Sequence, residues 1–149
     1  MQKVFSQLNQ IQADAHAFYL AFHGYHWFVK GKDFAVLHAY TEEAYEEFGK
    51  LFDDTAERAL ILGGKAVTGA ENLLKLAKAP VVTKESFSSC EVFGLVKTSY
   101  EYLLGEFKKL EEVAGEAGDS VTEAFAQDNI ASLQKKLWML NSTLVECTL

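Results

Sequence analysis

Three of the four histidines of this chain fall in one stretch, HGYHWFVKGKDFAVLHAYTEE, and an acidic run, DDTAE, follows a few helical turns later. Imidazole nitrogen and carboxylate oxygen together form a donor set that suits iron, manganese or zinc. The candidate metal ligands are His26, His38, Glu42, Asp53 and Glu57. Glu42 follows His38 by one helical turn, and Glu57 follows Asp53 in the same way, so each pair occupies a single helix face.

The elements that must position them follow from periodicity. Val4, Leu8, Ile11, Ala15, Phe18, Phe22 and Tyr25 form the apolar stripe of a first helix over residues 4–29, which Gly31 ends. Phe34, Leu37, Ala44, Phe48, Leu51, Thr55 and Ala59 predict a long second helix over 33–62, stopped by Gly63 and Gly64. A connector with a short helix at 70–78 ends at Pro80, the only proline. The third helix, 89–116, carries Phe93, Val96, Tyr100, Leu103, Phe107, Leu110 and Ala114. The fourth, 120–144, carries Ala124, Ile130, Leu133, Leu137, Leu140 and Leu144, with Asp119 or Ser120 as its cap. Four long helices with no strand pattern predict an all-α four-helix bundle. A crossover containing a short helix joins helices two and three.

This arrangement sets conditions on the donors. If helices one and two turn near residue 32, His26 and His38 stand at equal distances from the turn and become neighbours. His38 and Asp53 are about 22 Å apart along one helix, at 1.5 Å per residue, and cannot hold the same ion within one chain. Their angular offset is only about 60°, so both clusters look outward in similar directions. Two antiparallel copies of helix two, related by a dyad between residues 47 and 48, would set His38 opposite Glu57 and Glu42 opposite Asp53. An isologous dimer of this kind completes two identical sites.

Composition narrows the class. The chain has 149 residues, 49% of them hydrophobic, so a single domain over 1–149 with an ordinary core is expected. A net charge of −7 and a pI near 5.1 argue against a sequence-independent grip on nucleic acid, which depends on lysine and arginine releasing counterions. Cys90 and Cys147 lie far apart without a CxxC spacing, so neither a disulfide framework nor a thiolate zinc site is expected, and a reducing cytoplasm fits best. No signal peptide and no apolar run of the ~20 residues a membrane span needs can be read.

The residues HGYHWFVKGKDFAVLHAYTEEAYEEFGKLFDDTAERALILGG resemble the signature of the Dps family, the ferritin-like mini-ferritins of starved bacteria, and FAQDNIASLQKKLWML extends the likeness more loosely. The combination of His-Trp, Gly-x-x-Phe-x-x-x-His and Asp-x-x-x-Glu-Arg carries the specificity. The resemblance implies a hollow dodecamer with ferroxidase sites at two-fold interfaces, where Fe(II) is oxidised, preferably by hydrogen peroxide, and stored as ferric mineral. It implies that His26 and His38 are ligands from one subunit, that Asp53 and Glu57 are ligands from its partner, and that Glu42 lies near the second iron. All four of the first-named residues would be catalytic, and zinc or manganese is an alternative occupant. Trp27 matches a tryptophan beside the site. Phe28 departs from the family's usual His-Trp-Asn and removes a polar side chain, but no ligand. The ferritin alternative, a di-iron centre inside each chain, needs histidines on helices three and four, which have none.

The remaining polar residues have plainer readings. His16 and His23 are expected to be structural, His23 with a supporting place behind the ligands. Asp54 is expected to face solvent or support the site, and Arg58 to pair with a nearby acid. Trp138 and Met139 are expected in the core or an interface. Asp119, Glu123 and Asp128 begin helix four, where acids favour the helix dipole and where the family has its iron-entry pore. Two other functions compete: a DNA-protecting nucleoid protein and a cell-interacting shell. For direct DNA contact the ends MQKVFSQ and NSTLVECTL hold a single lysine.

Overall fold

The computed structural model describes residues 1–147. Its elements are α1 (Gln2–Phe28), β1 (Val29–Lys30), α2 (Phe34–Ile61), α3 (Ala70–Leu76), β2 (Phe87–Ser88), α4 (Ser89–Glu116) and α5 (Ser120–Leu144). α1 packs against α2, α4 against α5, and α1 against α4, so two antiparallel helical hairpins close one bundle. The fold is all-α and ferritin-like, with the short α3 inside a long crossover. Among the described residues no helix is long and apolar enough to cross a membrane.

The predicted stripes build the core. All seven stripe residues of α1 are fully buried, and they meet Leu37, Ala44, Phe48, Val96, Tyr100, Leu103 and Phe107 from the facing helices. Phe18 and Phe22 both pack on Phe48, at ring-centroid distances of 5.3 and 4.7 Å. α5 is the least embedded helix. Only Ala126, Leu133 and Leu140 of its apolar residues are buried, Ala124 is exposed, and Trp138 and Met139 are 68% and 55% exposed, which removes them from the core.

α1 ends at Phe28 because Val29 turns to extended backbone and pairs in parallel with Phe87, while Lys30 pairs with Ser88. This two-residue ladder, too short to leave an alternating pattern, ties the α1–α2 turn to the start of α4. Gly31, at φ 122°, supplies the left-handed backbone of that turn. Ser88 caps α4 by accepting from the Glu91 amide, and Asp119 caps α5 by accepting from the Thr122 amide at 3.1 Å.

The crossover is held by polar groups of α1. The Asp14 carboxylate is fully buried and accepts four hydrogen bonds, from the amides of Lys78 and Ala79, the Tyr102 hydroxyl and the Gln10 amide group. The Gln12 side chain pairs with both backbone groups of Val67, at 2.8 and 2.9 Å. Tyr25 accepts from the Val82 amide through its hydroxyl. A buried polar group is tolerated when its bonds are made, and here making them fixes the path of the crossover.

One expectation fails. Cys90 and Cys147 are joined in a disulfide, with their Cα atoms 5.7 Å apart. They are 57 residues apart in sequence, but antiparallel packing of α4 and α5 brings the first turn of one helix beside the end of the other. Cysteine usage therefore lends no weight to a reducing compartment.

Candidate metal centre

His26 and His38 meet where α1 and α2 flank their turn. Their rings stack with centroids 3.6 Å apart and planes 15° apart. The Nδ1 of His26 lies 2.6 Å from the His38 carbonyl oxygen, and the Nδ1 of His38 lies 2.9 Å from the His26 carbonyl oxygen. A carbonyl only accepts, so each Nδ1 carries the proton and donates. In the neutral ring this leaves the lone pair on Nε2, and no described residue bonds either Nε2. A ring fixed through one nitrogen with the other free is prepared for metal ligation. Thr41 helps to hold the pair, because its hydroxyl lies 3.2 Å from His26 Nδ1 while donating to the Leu37 carbonyl. Phe34 stacks on the outer side of His38, at 5.0 Å.

Tyr45, which spacing alone did not single out, organises the neighbouring surface. Its ring stacks on His23 with a centroid distance of 3.7 Å and meets His26 edge-on at 5.4 Å. Desolvation and then the nearby Glu42 carboxylate push its phenol up, so it stays protonated and donates to Glu42 at 3.3 Å. It could have been found from its place one turn after Glu42 on the same helix face. His23 donates through Nδ1 to the Tyr19 carbonyl at 2.6 Å, which places it behind Tyr45. His16 rests against Phe52. Trp27 is 60% exposed beside His23, and Phe28 meets the Trp27 ring edge-on.

Asp53 and Glu57 are exposed, farther along the unbroken α2. The chain does not bring them to the histidines. Among the described residues no three His, Cys, Asp or Glu side chains are grouped to hold an ion. Their neighbours are engaged: Asp54 pairs with Lys50, while Arg58 donates to Thr122 at 2.9 Å and lies 3.6 Å from Asp119. Burial raises the Asp119 carboxyl, but the Thr122 hydroxyl and amide and the Arg58 guanidinium outweigh it and hold it below the usual carboxylate range. Asp119 is therefore committed to a cap and a latch, whereas Asp128 is exposed and Glu123 half-buried.

An apolar surface lies alongside. Leu20, Trp27, Leu74 and Val82 border a groove of 610 Å³ between α1 and the crossover, and Leu20 and Leu74 are 53% and 62% exposed.

A bundle of two hairpins with a long crossover, carrying a histidine pair and separate carboxylates on one hairpin, defines a ferritin-like protein, and the ferritin-like domain family matches residues 5–149. The DNA protection during starvation protein of Helicobacter pylori is 42% identical over 142 residues, covering 95% of this chain and 99% of that one. The crystal structure of Helicobacter cinaedi CAIP superposes with a TM-score of 0.93 at 45% identity, covering 95% and 99% of the two chains. A Dps protein from Vibrio cholerae, described as a member of a broad superfamily of ferritin-like diiron-carboxylate proteins, gives 0.90 at 34% identity, covering 96% and 89%. The chain belongs to the Dps family of ferritin-like proteins.

Proposed function

We propose that this protein is an iron-storing ferroxidase whose sites form between two copies of the chain. The observation that carries the reading is the reciprocal bonding of His26 and His38, which leaves two Nε2 donors side by side. Asp53 and Glu57 of a second copy complete each site, with Glu42 beside them. The dyad that brings them together follows from spacing on α2, and the exposed apolar groove gives the second copy a surface to cover. A dodecamer of such dimers, built from single-domain chains in the cytoplasm, encloses the stored mineral.

Iron is the substrate. The imidazoles retain Fe(II) as it loads, and the carboxylates, as hard oxygen donors, favour Fe(III) as it forms. Two irons held close together each give one electron to a single hydrogen peroxide. Its O–O bond breaks, and two hydroxides leave instead of a hydroxyl radical. Protection of DNA then comes from removing iron and peroxide. A chain of net charge −7 has little electrostatic reason to touch DNA at neutral pH. Zinc or manganese can compete for the same donors.

The test is to load the purified assembly anaerobically with Fe(II), add half an equivalent of peroxide, and follow ferric iron through a sizing column. Rapid oxidation with ferric iron eluting in a large oligomer, lost in Asp53→Ala, is expected. Oxidation no faster than in buffer would overturn the reading.

A further inference from the structure

The Cys90–Cys147 disulfide plays no part in the metal half-sites and lies outside the apolar core. That core runs from Val4 on α1 to Leu140 on α5, so a chain of this length needs no covalent staple to fold. The positions of the two sulfurs suit a reversible pair instead. Cys90 is in the first turn of a 28-residue helix, after the Ser88 cap. Unpaired backbone N–H groups and the positive end of the helix dipole there favour a thiolate, the form that attacks peroxide. Cys147 lies beyond the end of α5 on a single turn closed by its own amide to the Leu144 carbonyl, next to Val145, which is 82% exposed. Both cysteines are half-buried, within reach of small oxidants and reductants. Among the described residues none after Leu140 belongs to the core, so releasing Cys147 withdraws none of them from it.

We propose that Cys90 and Cys147 are a peroxide-reactive dithiol, a second redox site that works without iron. The Cys90 thiolate attacks one peroxide oxygen, and the O–O bond breaks to leave a sulfenic acid on Cys90 and release hydroxide. The Cys147 thiolate then attacks the Cys90 sulfur and expels the second hydroxide as the S–S bond forms. With the protons of the two thiols, the products are one disulfide and two waters. The sulfurs lose two electrons, and peroxide gains them. A dithiol reductant reopens the bond by exchange. Closure fastens the segment after α5 to the first turn of α4, directly after the β2 residues that pair with the start of the α1–α2 turn.

The experiment uses the full-length assembly, stripped of iron with a chelator, reduced, freed of reductant under anaerobic conditions and mixed with hydrogen peroxide. Two thiols should disappear for each peroxide consumed, within single chains, at least about ten times faster than glutathione at the same pH. In Cys147→Ser, dimedone should trap a sulfenic acid on Cys90, whereas in Cys90→Ser the remaining thiol should react at the glutathione rate. Thiols that react no faster than glutathione in the wild-type protein, disulfides between chains, or sulfenic acid found on Cys147 would each overturn the proposal. If a serine variant fails to assemble, the wild-type rate and stoichiometry still decide. Without iron, the outcome is independent of the ferroxidase reading.

Discussion

His26 and His38 each donate Nδ1–H to the other's backbone carbonyl, and their stacked rings back one another across the turn. The placing of the two free Nε2 atoms is therefore a property of the α1–α2 turn as a unit. Replacing either histidine with alanine should cost more than one ligand, because the partner ring keeps its own bond but loses the stacked neighbour. We expect Fe(II) affinity of the assembly to fall by about 10- to 100-fold in either single variant. The double variant should be little worse than the singles, which anaerobic titration calorimetry will measure. Losses that multiply in the double variant would show that the two rings act independently.

Tyr45 offers a milder test. Tyr45→Phe removes the hydroxyl bond to Glu42 and keeps the stack on His23, so stability should change by no more than about 1 kcal/mol. Tyr45→Ala also removes the ring and should cost about 1–2 kcal/mol more. Denaturant midpoints of the two variants, compared at equal subunit concentration, separate these contributions.

Asp14 should be among the most sensitive positions outside the proposed metal centre. Asp14→Ala leaves two crossover amides and the Tyr102 hydroxyl without their acceptor, which should cost about 3 kcal/mol or more. Hydrogen exchange should show the loss first at Lys78 and Ala79. Uniform loss of protection would instead mean that the whole bundle depends on this carboxylate.

Acid should open the Arg58–Asp119 latch. Because Asp119 is held below the usual carboxylate range in the folded chain, its contribution is complete above that range and is lost as pH falls through the depressed value. Asp14 runs the other way: burial raises its carboxyl despite four hydrogen bonds, so its proton is bound more readily in the folded state, and its own contribution grows on acidification. As pH falls through and below the usual carboxylate range, Asp119→Asn should therefore flatten the acid loss of stability.

Reducing the disulfide lengthens the freedom of the unfolded chain. For a loop spanning 57 residues, the chain-entropy relation gives about 4 kcal/mol per subunit. Guanidinium denaturation with and without a dithiol reductant should show a loss of that order. Equal midpoints would mean that the unfolded chain gains nothing from its release.

Much of this molecule can be read from residue spacing. The stripes of α1 and α4 appear in the core with hardly a change, because a helix on one side of a bundle must present a continuous apolar face. The pairing of His26 with His38 follows from their equal distances from the turn. The same symmetry about the α4–α5 turn places Cys90 beside Cys147, although counting cysteines and looking for CxxC misses it. Tyr45 leaves no distinct mark in the sequence, because an aromatic residue on an amphipathic helix usually reads as packing. Asp119 is legible as the cap of α5, where it accepts from the Thr122 amide, whereas its pairing with Arg58 depends on α2 meeting the start of α5.

By itself the sequence determined the helices and their order, since these rest on periodicity along single helices, and the intervals on α1 and α2 set out the metal donors proposed above. The tertiary structure alone decided how the crossover is anchored by Gln12, Asp14 and Tyr25, where β1 meets β2, and which nitrogen of each paired histidine is free. Those features depend on hydrogen bonds between groups distant in sequence. Such bonds are set by where packed helices bring their side chains, and no local pattern of residues encodes them.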